Sequence, residues 1–265
     1  MRELTITTCQ APIAERCVAL LAIYLAEQLA RPVRFVDDCS WQERARLLDS
    51  GAIDLAWICG TPYVRRVDTL QPTVTLLVAP VQAAARYGGR PIYFSDVVVR
   101  AQSPLHHFAD LRGRRWGYNE PNSHSGYFLF RSYLVERGET TAFFGQIVET
   151  GGHQQSLALI LGGQLDASAI DSTVLDLLLR DDPALATDIR LIATLGPSSG
   201  PPWVASLQLE ATLREQVSAA LLAAHTQQRG QAALAAGGLA RFAAVDDQDY
   251  NDIRRMAALA ALAGP

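Results

Sequence analysis

Short β-branched runs alternate with amphipathic helical stretches along almost the whole chain, and this alternation constrains the fold more than any other feature. It reads as an α/β protein with layers built on largely parallel sheets. Residues 4–9 form a first predicted strand, and Ala11-Pro12 opens an apolar helix to about Leu29. Pro32 to Val36 is a second strand, Trp41 to Asp49 a helix, and Ile53 to Cys59 a third strand running into Gly60-Thr61-Pro62-Tyr63. Thr73 to Ala79 and Ile92 to Val99 are longer strands, rich in β-branched residues.

A second unit begins near Ser103. Asp110-Leu111-Arg112-Gly113 reads as a short helical turn and Trp116-Gly117-Tyr118 as a strand. Pro121 to Gly126 then opens a helix to about Arg137, with Tyr127, Phe130 and Leu134 at the spacing of a half-buried face. Strand 146–149, helix 153–162, strand 166–170 and helix 172–180 continue the alternation. Residues 196–202, Gly-Pro-Ser-Ser-Gly-Pro-Pro, are a dense cluster of breakers and the clearest linker. Trp203 to Leu209 looks like a returning strand, and the remainder reads as Ala-rich helix. At 265 residues the chain has room for one large or two modest domains, and no internal repeat is visible.

Four polar clusters lie where a strand ends and a helix begins, the place where open α/β sheets bind ligands. Asn122-Ser123-His124-Ser125-Gly126 puts two hydroxyls and an imidazole before a helix body, with a glycine that lets a ligand approach the backbone. A helix N-terminus offers unpaired N–H groups and partial positive charge, hence an anion site, although Ser and Asn are also ordinary caps. Gly151-Gly152-His153 gives an imidazole that can meet an oxyanion or a loop carbonyl. Asp171, in Ala169-Ile170-Asp171-Ser172, is either a helix cap or a ligand acceptor. Tyr63 sits on a fresh helical turn after Gly60.

Composition removes several classes. All 23 positive side chains are arginine, which excludes a P-loop lysine and Schiff-base or pyridoxal chemistry. A net charge of -4 argues against nucleic acid as a partner, and no apolar run is long enough for membrane insertion. Cys9, Cys17, Cys39 and Cys59 form no C-x-x-C pair, so buried thiols are expected, with a disulfide open in an oxidising compartment. Gly196-Pro197-Ser198-Ser199-Gly200 matches G-x-S-x-G, but a nucleophile elbow leads into a helix and Pro201-Pro202 follow here. His106 and His107 are neighbours on an extended segment and point to opposite faces, which does not make a metal site. Residues 246–249, Asp-Asp-Gln-Asp, read as a helix start. No catalytic residue, metal or cofactor is expected.

Four stretches together resemble the phosphate/phosphonate-binding family of bacterial solute-binding proteins, the soluble components of ABC importers. They are Gly51 to Trp57 with Gly60 and Tyr63; Tyr93 to Val99; Ser103-Pro104 through Asp110-Leu111-Arg112-Gly113 to Ser123-His124-Ser125-Gly126-Tyr127; and Gly152-His153 through Gly162 to Ala167. The resemblance implies a two-lobed, type II periplasmic-binding-protein-like fold with a ligand cleft between lobes joined by two crossover strands. One lobe takes residues 1–97 and 200–265, the other 98–199, with hinges near Val97–Arg100 and Thr194–Pro202. By the same resemblance Ser123, His124 and Ser125 hold a small oxyanion, Tyr93 and His153 add donors, Tyr63 comes from the opposite lobe, and Asp171 faces the ligand's substituent.

His124 stands where that family commonly has threonine, which leaves the ligand open toward a more anionic or bulkier group. The implied partners are a small anionic ligand and an ABC-transporter permease, and the chain is expected to be a monomer. Its compartment is periplasmic by resemblance, yet no signal peptide precedes the first strand as the chain is given, which keeps a cytoplasmic protein open. Two rivals share the fold: a biosynthetic enzyme akin to menaquinone- or pyrimidine-pathway relatives, with His124 or His153 beside Asp171 as acid and base, and a ligand-sensing module.

Overall fold

The computed structural model describes residues 2–264. Its strands are β1 (Leu4–Thr8), β2 (Val33–Phe35), β3 (Leu55–Trp57), β4 (Val74–Gln82), β5 (Ile92–Arg100), β6 (Arg115–Tyr118), β7 (Gln146–Glu149), β8 (Ala167–Asp171), β9 (Ile189–Ser199), β10 (Trp203–Ser206) and β11 (Leu239–Ala243). They form two sheets, in the orders β11-β4-β10-β3-β1-β2 and β7-β6-β8-β5-β9. Each sheet is the centre of one compact unit. The first unit takes the chain up to Ile92 together with Ser199–Tyr250, and the second takes Tyr93–Ser198 together with the segment from Asn251.

In the first unit β1 runs parallel to β2 and β3, and β10 returns antiparallel between β3 and β4. Every residue of β1 is buried, as expected of a strand covered on both faces. Leu4 and Ile6 pack with Val18, Leu21 and Leu25 of the helix Glu15–Gln28 and with Val217 and Leu221 of Ala211–Ala223. Trp57 and Trp203 stack at 6.0 Å across the β3–β10 pair. The expectation of continuous helix near the C-terminus is corrected by β11, which pairs antiparallel with β4. Leu239 and Phe242 are buried there while Ala240 is exposed; this partial alternation is short and lies behind an Ala-rich helix, Gln228–Ala236, that masks it.

In the second unit β6 runs parallel to β7 and β8, and β5 is antiparallel to β8. Its core is aromatic: Trp116 stacks on Phe144 at 4.6 Å, with Phe130 and Phe143 alongside. The expected lobe limits shift for a packing reason. Met256, on the helix Asn251–Ala260, belongs to this core, and the buried Arg131 guanidinium donates to Ala260 O at 3.3 Å. The C-terminal segment therefore belongs with the second unit rather than with the first.

The breaker cluster is a second correction. Residues 196–199 are strand, the end of β9, at an edge of the five-stranded sheet where proline's missing N–H breaks no ladder. Gly196 takes φ +107°, which glycine alone adopts without strain. The segment does join the two units, as extended chain and not as a loop.

Candidate anion site

The helix start in the second unit is wound differently from an ordinary α-helix. Ser123 is its cap, accepting the Gly126 N–H on Oγ at 3.1 Å. The first turn, His124–Phe128, is π-helical, with Phe128 N–H reaching back to Ser123 O at 3.2 Å, before regular helix continues over Leu129–Val135. Single π-turns of this kind recur at functional sites. Ser123, His124 and Ser125 are all at most 1% exposed.

His124 turns away from the cap. Its Nε2 lies 3.0 Å from Ser198 Oγ on β9, and its ring leans against Tyr93, centroids 6.2 Å apart. Burial pushes its pKa down to about 3, so the ring is neutral. Ser125 is held from behind, its carbonyl accepting Ser95 Oγ–H from β5 at 2.8 Å. Its own Oγ is 3.1 Å from His153 Nε2 and 3.5 Å from Ser123 Oγ.

His153 begins the helix His153–Leu161 directly after the Gly151-Gly152 turn. Burial lowers its pKa to about 4. Its Nε2 meets Ser125 and also Asn119 Nδ2, at 3.3 Å, while Nδ1 is buried with no hydrogen-bond partner among the described residues. Asp171 ends β8, opposite Ser95 of β5, and caps the helix Ser172–Asp181 by accepting Thr173 N–H and Oγ–H on Oδ1, each at 2.8 Å. Burial raises its pKa to about 6 against the donors from Thr173, Val174 and Ser125. Of the two sequence readings of Asp171, the helix cap is the one seen here.

A Cβ on Gly126 would lie 1.9 Å from Asn119 Oδ1 and 3.2 Å from His153 Cε1, so the glycine makes room for the Asn119 carboxamide. Asn119 and Thr173 are residues that sequence reasoning did not single out, and Ser198 entered it only within the Gly196–Gly200 breaker cluster. Asn119 directly follows β6, a strand end like the others, which is the signal that pointed to its neighbours. Tyr93 lies beside the site. Tyr63 lies in the first unit, its hydroxyl donating to Asp247 at 2.8 Å and its ring edge-on to Tyr250.

The chemistry available is that of neutral donors and dipoles around one helix start. Among the described residues no group of His, Cys, Asp and Glu can hold a metal ion, and no disulfide joins the cysteines. No helix is long and apolar enough to cross a membrane among the described residues.

Two discontinuous α/β units, each with a mixed sheet and helices starting at strand ends, define the type II periplasmic-binding-protein fold. The chain belongs to the family described as "ABC transporter, phosphonate, periplasmic substrate-binding protein", which it matches over residues 6–250. The phosphonates-binding periplasmic protein of Escherichia coli is 24% identical over 209 residues, covering 77% of this chain and 60% of that protein, so the match spans less than two thirds of the relative. Among solved structures, PhnD1 of Prochlorococcus marinus in complex with methylphosphonate superposes with a TM-score of 0.83, at 19% identity, covering 96% of each chain. A binding protein component of a phosphonate ABC transporter from Pseudomonas aeruginosa gives 0.84 at 16% identity, covering 98% of this chain and 86% of the other.

Proposed function

We propose that this chain captures a small oxyanion, of phosphonate or phosphate type, at the start of the π-wound helix and hands it to the permease of an ABC importer in the periplasm. The observation that carries the reading is the convergence of Ser123 and Ser125, at one helix start, with His153, at another, all buried, with an imidazole nitrogen that no group among the described residues satisfies. Polar groups buried in this way are costly unless something completes their hydrogen bonds, and an oxyanion at a helix N-terminus does so.

Ser123, Ser125 and the first-turn N–H groups are the proposed donors, with Gly126 keeping the turn compact. His124 contributes its backbone, its ring being occupied by Ser198. Tyr93 is proposed as a further hydroxyl donor, and Asp171 is proposed to face the ligand's substituent. The relatives' descriptions support the ligand class, since one of the matched structures is a complex with methylphosphonate.

Binding without turnover is favoured by the histidines themselves. An acid–base catalyst exchanges protons near the working pH, whereas burial holds His124 at about 3 and His153 at about 4. The anion is met by dipoles and neutral donors, which suits a ligand that must be released again.

Thermal denaturation with phosphate, phosphite, sulfate, methylphosphonate and 2-aminoethylphosphonate tests this. A ligand at a hundred times its Kd adds about 2.7 kcal/mol, a clear rise in Tm. One oxyanion should raise the Tm of the natural chain and fail to do so for Ser125→Ala. If none of them stabilises the natural chain, the oxyanion reading is wrong.

A further inference from the structure

Ser123 and Ser125 hold their hydroxyls 3.5 Å apart, while the residue between them sends its ring elsewhere. His124 Nε2 lies 3.0 Å from Ser198 Oγ, and the Ser198 hydroxyl lies 3.5 Å from Met256 Sδ. All three residues are buried. The far end of this row fixes its direction. A thioether sulfur carries no hydrogen and only accepts, so Ser198 gives it the hydroxyl hydrogen and meets the histidine with a lone pair. His124 is therefore the Nε2–H tautomer and donates to Ser198.

The row matters for where its members stand in the chain. Three peptide links carry the chain from one unit to the other: Ile92–Tyr93, Ser198–Ser199 and Tyr250–Asn251. Ser198 is the last residue before the second link. Met256 is on the helix Asn251–Ala260, which opens at the third link and packs on the π-turn. Tyr93 is the first residue after the first link, and its ring lies 6.2 Å from that of His124. Directly or through Ser198, one imidazole thus reaches the element at each point where the chain enters or leaves the second unit, and every contact lies inside that unit.

We infer that His124 is a positioning residue that ties the anion-binding turn to the three segments by which the chain enters and leaves the second unit, so that filling the turn stiffens those segments. This rests on the oxyanion reading of the site. An oxyanion at this helix start draws on N–H and hydroxyl groups on both sides of His124, which restrains its backbone. The buried ring passes the restraint on through a hydrogen bond of fixed direction and through packing.

Length makes the link possible. Nε2 is the far atom of the imidazole, and it is the atom that meets Ser198 on β9. The threonine common at this place in the family carries its hydroxyl on Cβ, too close to the backbone to make that span. Position 124 here supplies a tie to β9 and the last helix where a threonine would set a third hydroxyl beside the two serines.

Amide hydrogen exchange on ligand-free protein and on protein saturated with methylphosphonate tests this. In the natural chain, saturation should slow exchange at least about tenfold both at the turn, residues 125–128, and at the crossings, residues 194–199 and 251–256. In Ser198→Ala the slowing should persist at the turn and disappear at the crossings. Coupling is reciprocal, so the ligand-free turn of Ser198→Ala should exchange about fivefold faster than that of the natural chain, the worth of one hydrogen bond. His124→Gln carries an N–H about as far out as Nε2 and should behave as the natural chain, whereas His124→Asn ends short of Ser198 and should behave as Ser198→Ala. Slowing at the crossings that survives in Ser198→Ala, a ligand-free turn that this variant leaves unchanged, or Gln and Asn variants that behave alike, each overturns the coupling. If none of the oxyanions named above slows exchange anywhere, yet Ser198→Ala still loosens the ligand-free turn, the coupling stands and the oxyanion reading is the part that fails.

Discussion

Gly126 occupies a helical position where alanine is ordinarily better by about 1 kcal/mol. Here the extra methyl would meet the Asn119 carboxamide at 1.9 Å and press on His153. Asn119 is a short side chain and can swing away, but it then leaves His153 Nε2. Gly126→Ala is therefore expected to change overall stability by less than about 1 kcal/mol, the helical gain offsetting the lost contact, while oxyanion affinity drops at least about tenfold, one misplaced hydrogen bond being worth that much. Calorimetric titration of the variant beside a thermal melt separates the two; unchanged affinity would show that Asn119 does not position His153. The chain's exclusive use of arginine is also visible at this scale. Arg44 donates to the carbonyls of Thr8, Asp37 and Cys39, and Arg190 to those of Ala101, Ser103 and Leu105. A planar fork with five donors can clasp several carbonyls at once, which a lysine ammonium cannot match in geometry.

Elements with a strong local period were legible in the sequence, and those defined by partners were not. The helix Trp41–Asp49 and the strand Gln146–Glu149 fall where propensity and spacing place them, and Ser123, Ser125, His153 and Asp171 were singled out because each sits at a strand-to-helix junction. β9 was missed because Gly196 and Pro197 are breakers by composition, and only the sheet edge makes extended chain acceptable there. The pairing of His124 with Ser198 is a contact 74 residues apart, which no local pattern encodes. The allegiance of the last helix is of the same kind. Asn251–Ala260 is amphipathic whichever unit it covers, and what decides is Met256 in the second core together with the Arg131 clasp on its end. Met256→Ala should cost about 2–5 kcal/mol, the range for buried methionine truncation. The loss should appear as earlier denaturant exposure of Trp116, with Trp57 and Trp203 following their usual course. Equal loss at all three would place the helix with both units.

At the scale of the whole molecule the perturbed groups are divided between the units, and the division sets how each responds to pH. His124, His153 and Asp171 lie in the second unit, and Cys9 and Cys17 in the first. The histidines fall from 6.5 to about 3 and about 4, so the folded state holds them neutral. Their stabilisation is complete above 6.5 and is lost as the pH falls from there toward their folded values. Asp171 has the opposite sign, its raised value of about 6 adding stability as the pH drops from about 6 toward 3.8. A tenfold change in proton affinity is worth roughly 1.4 kcal/mol, so two imidazoles against one carboxyl leave a net loss of a few kcal/mol by about pH 4. At the alkaline end Cys9 and Cys17 are pushed by burial from 9.0 to about 11 and about 12. Unfolding releases them to ionise, so the first unit weakens above pH 9. The phenols of Tyr24 and Tyr118, raised from 10, add to the two units only beyond that. Acid is thus expected to open the second unit first and alkali the first unit. Fluorotryptophan-labelled protein followed by 19F resonances gives Trp116 as the reporter for one unit and Trp57 and Trp203 for the other. Trp116 should change first on acidification and last as the pH is raised. Coincident transitions at both ends would mean that the two units unfold as one cooperative body, whatever their separate ionisations.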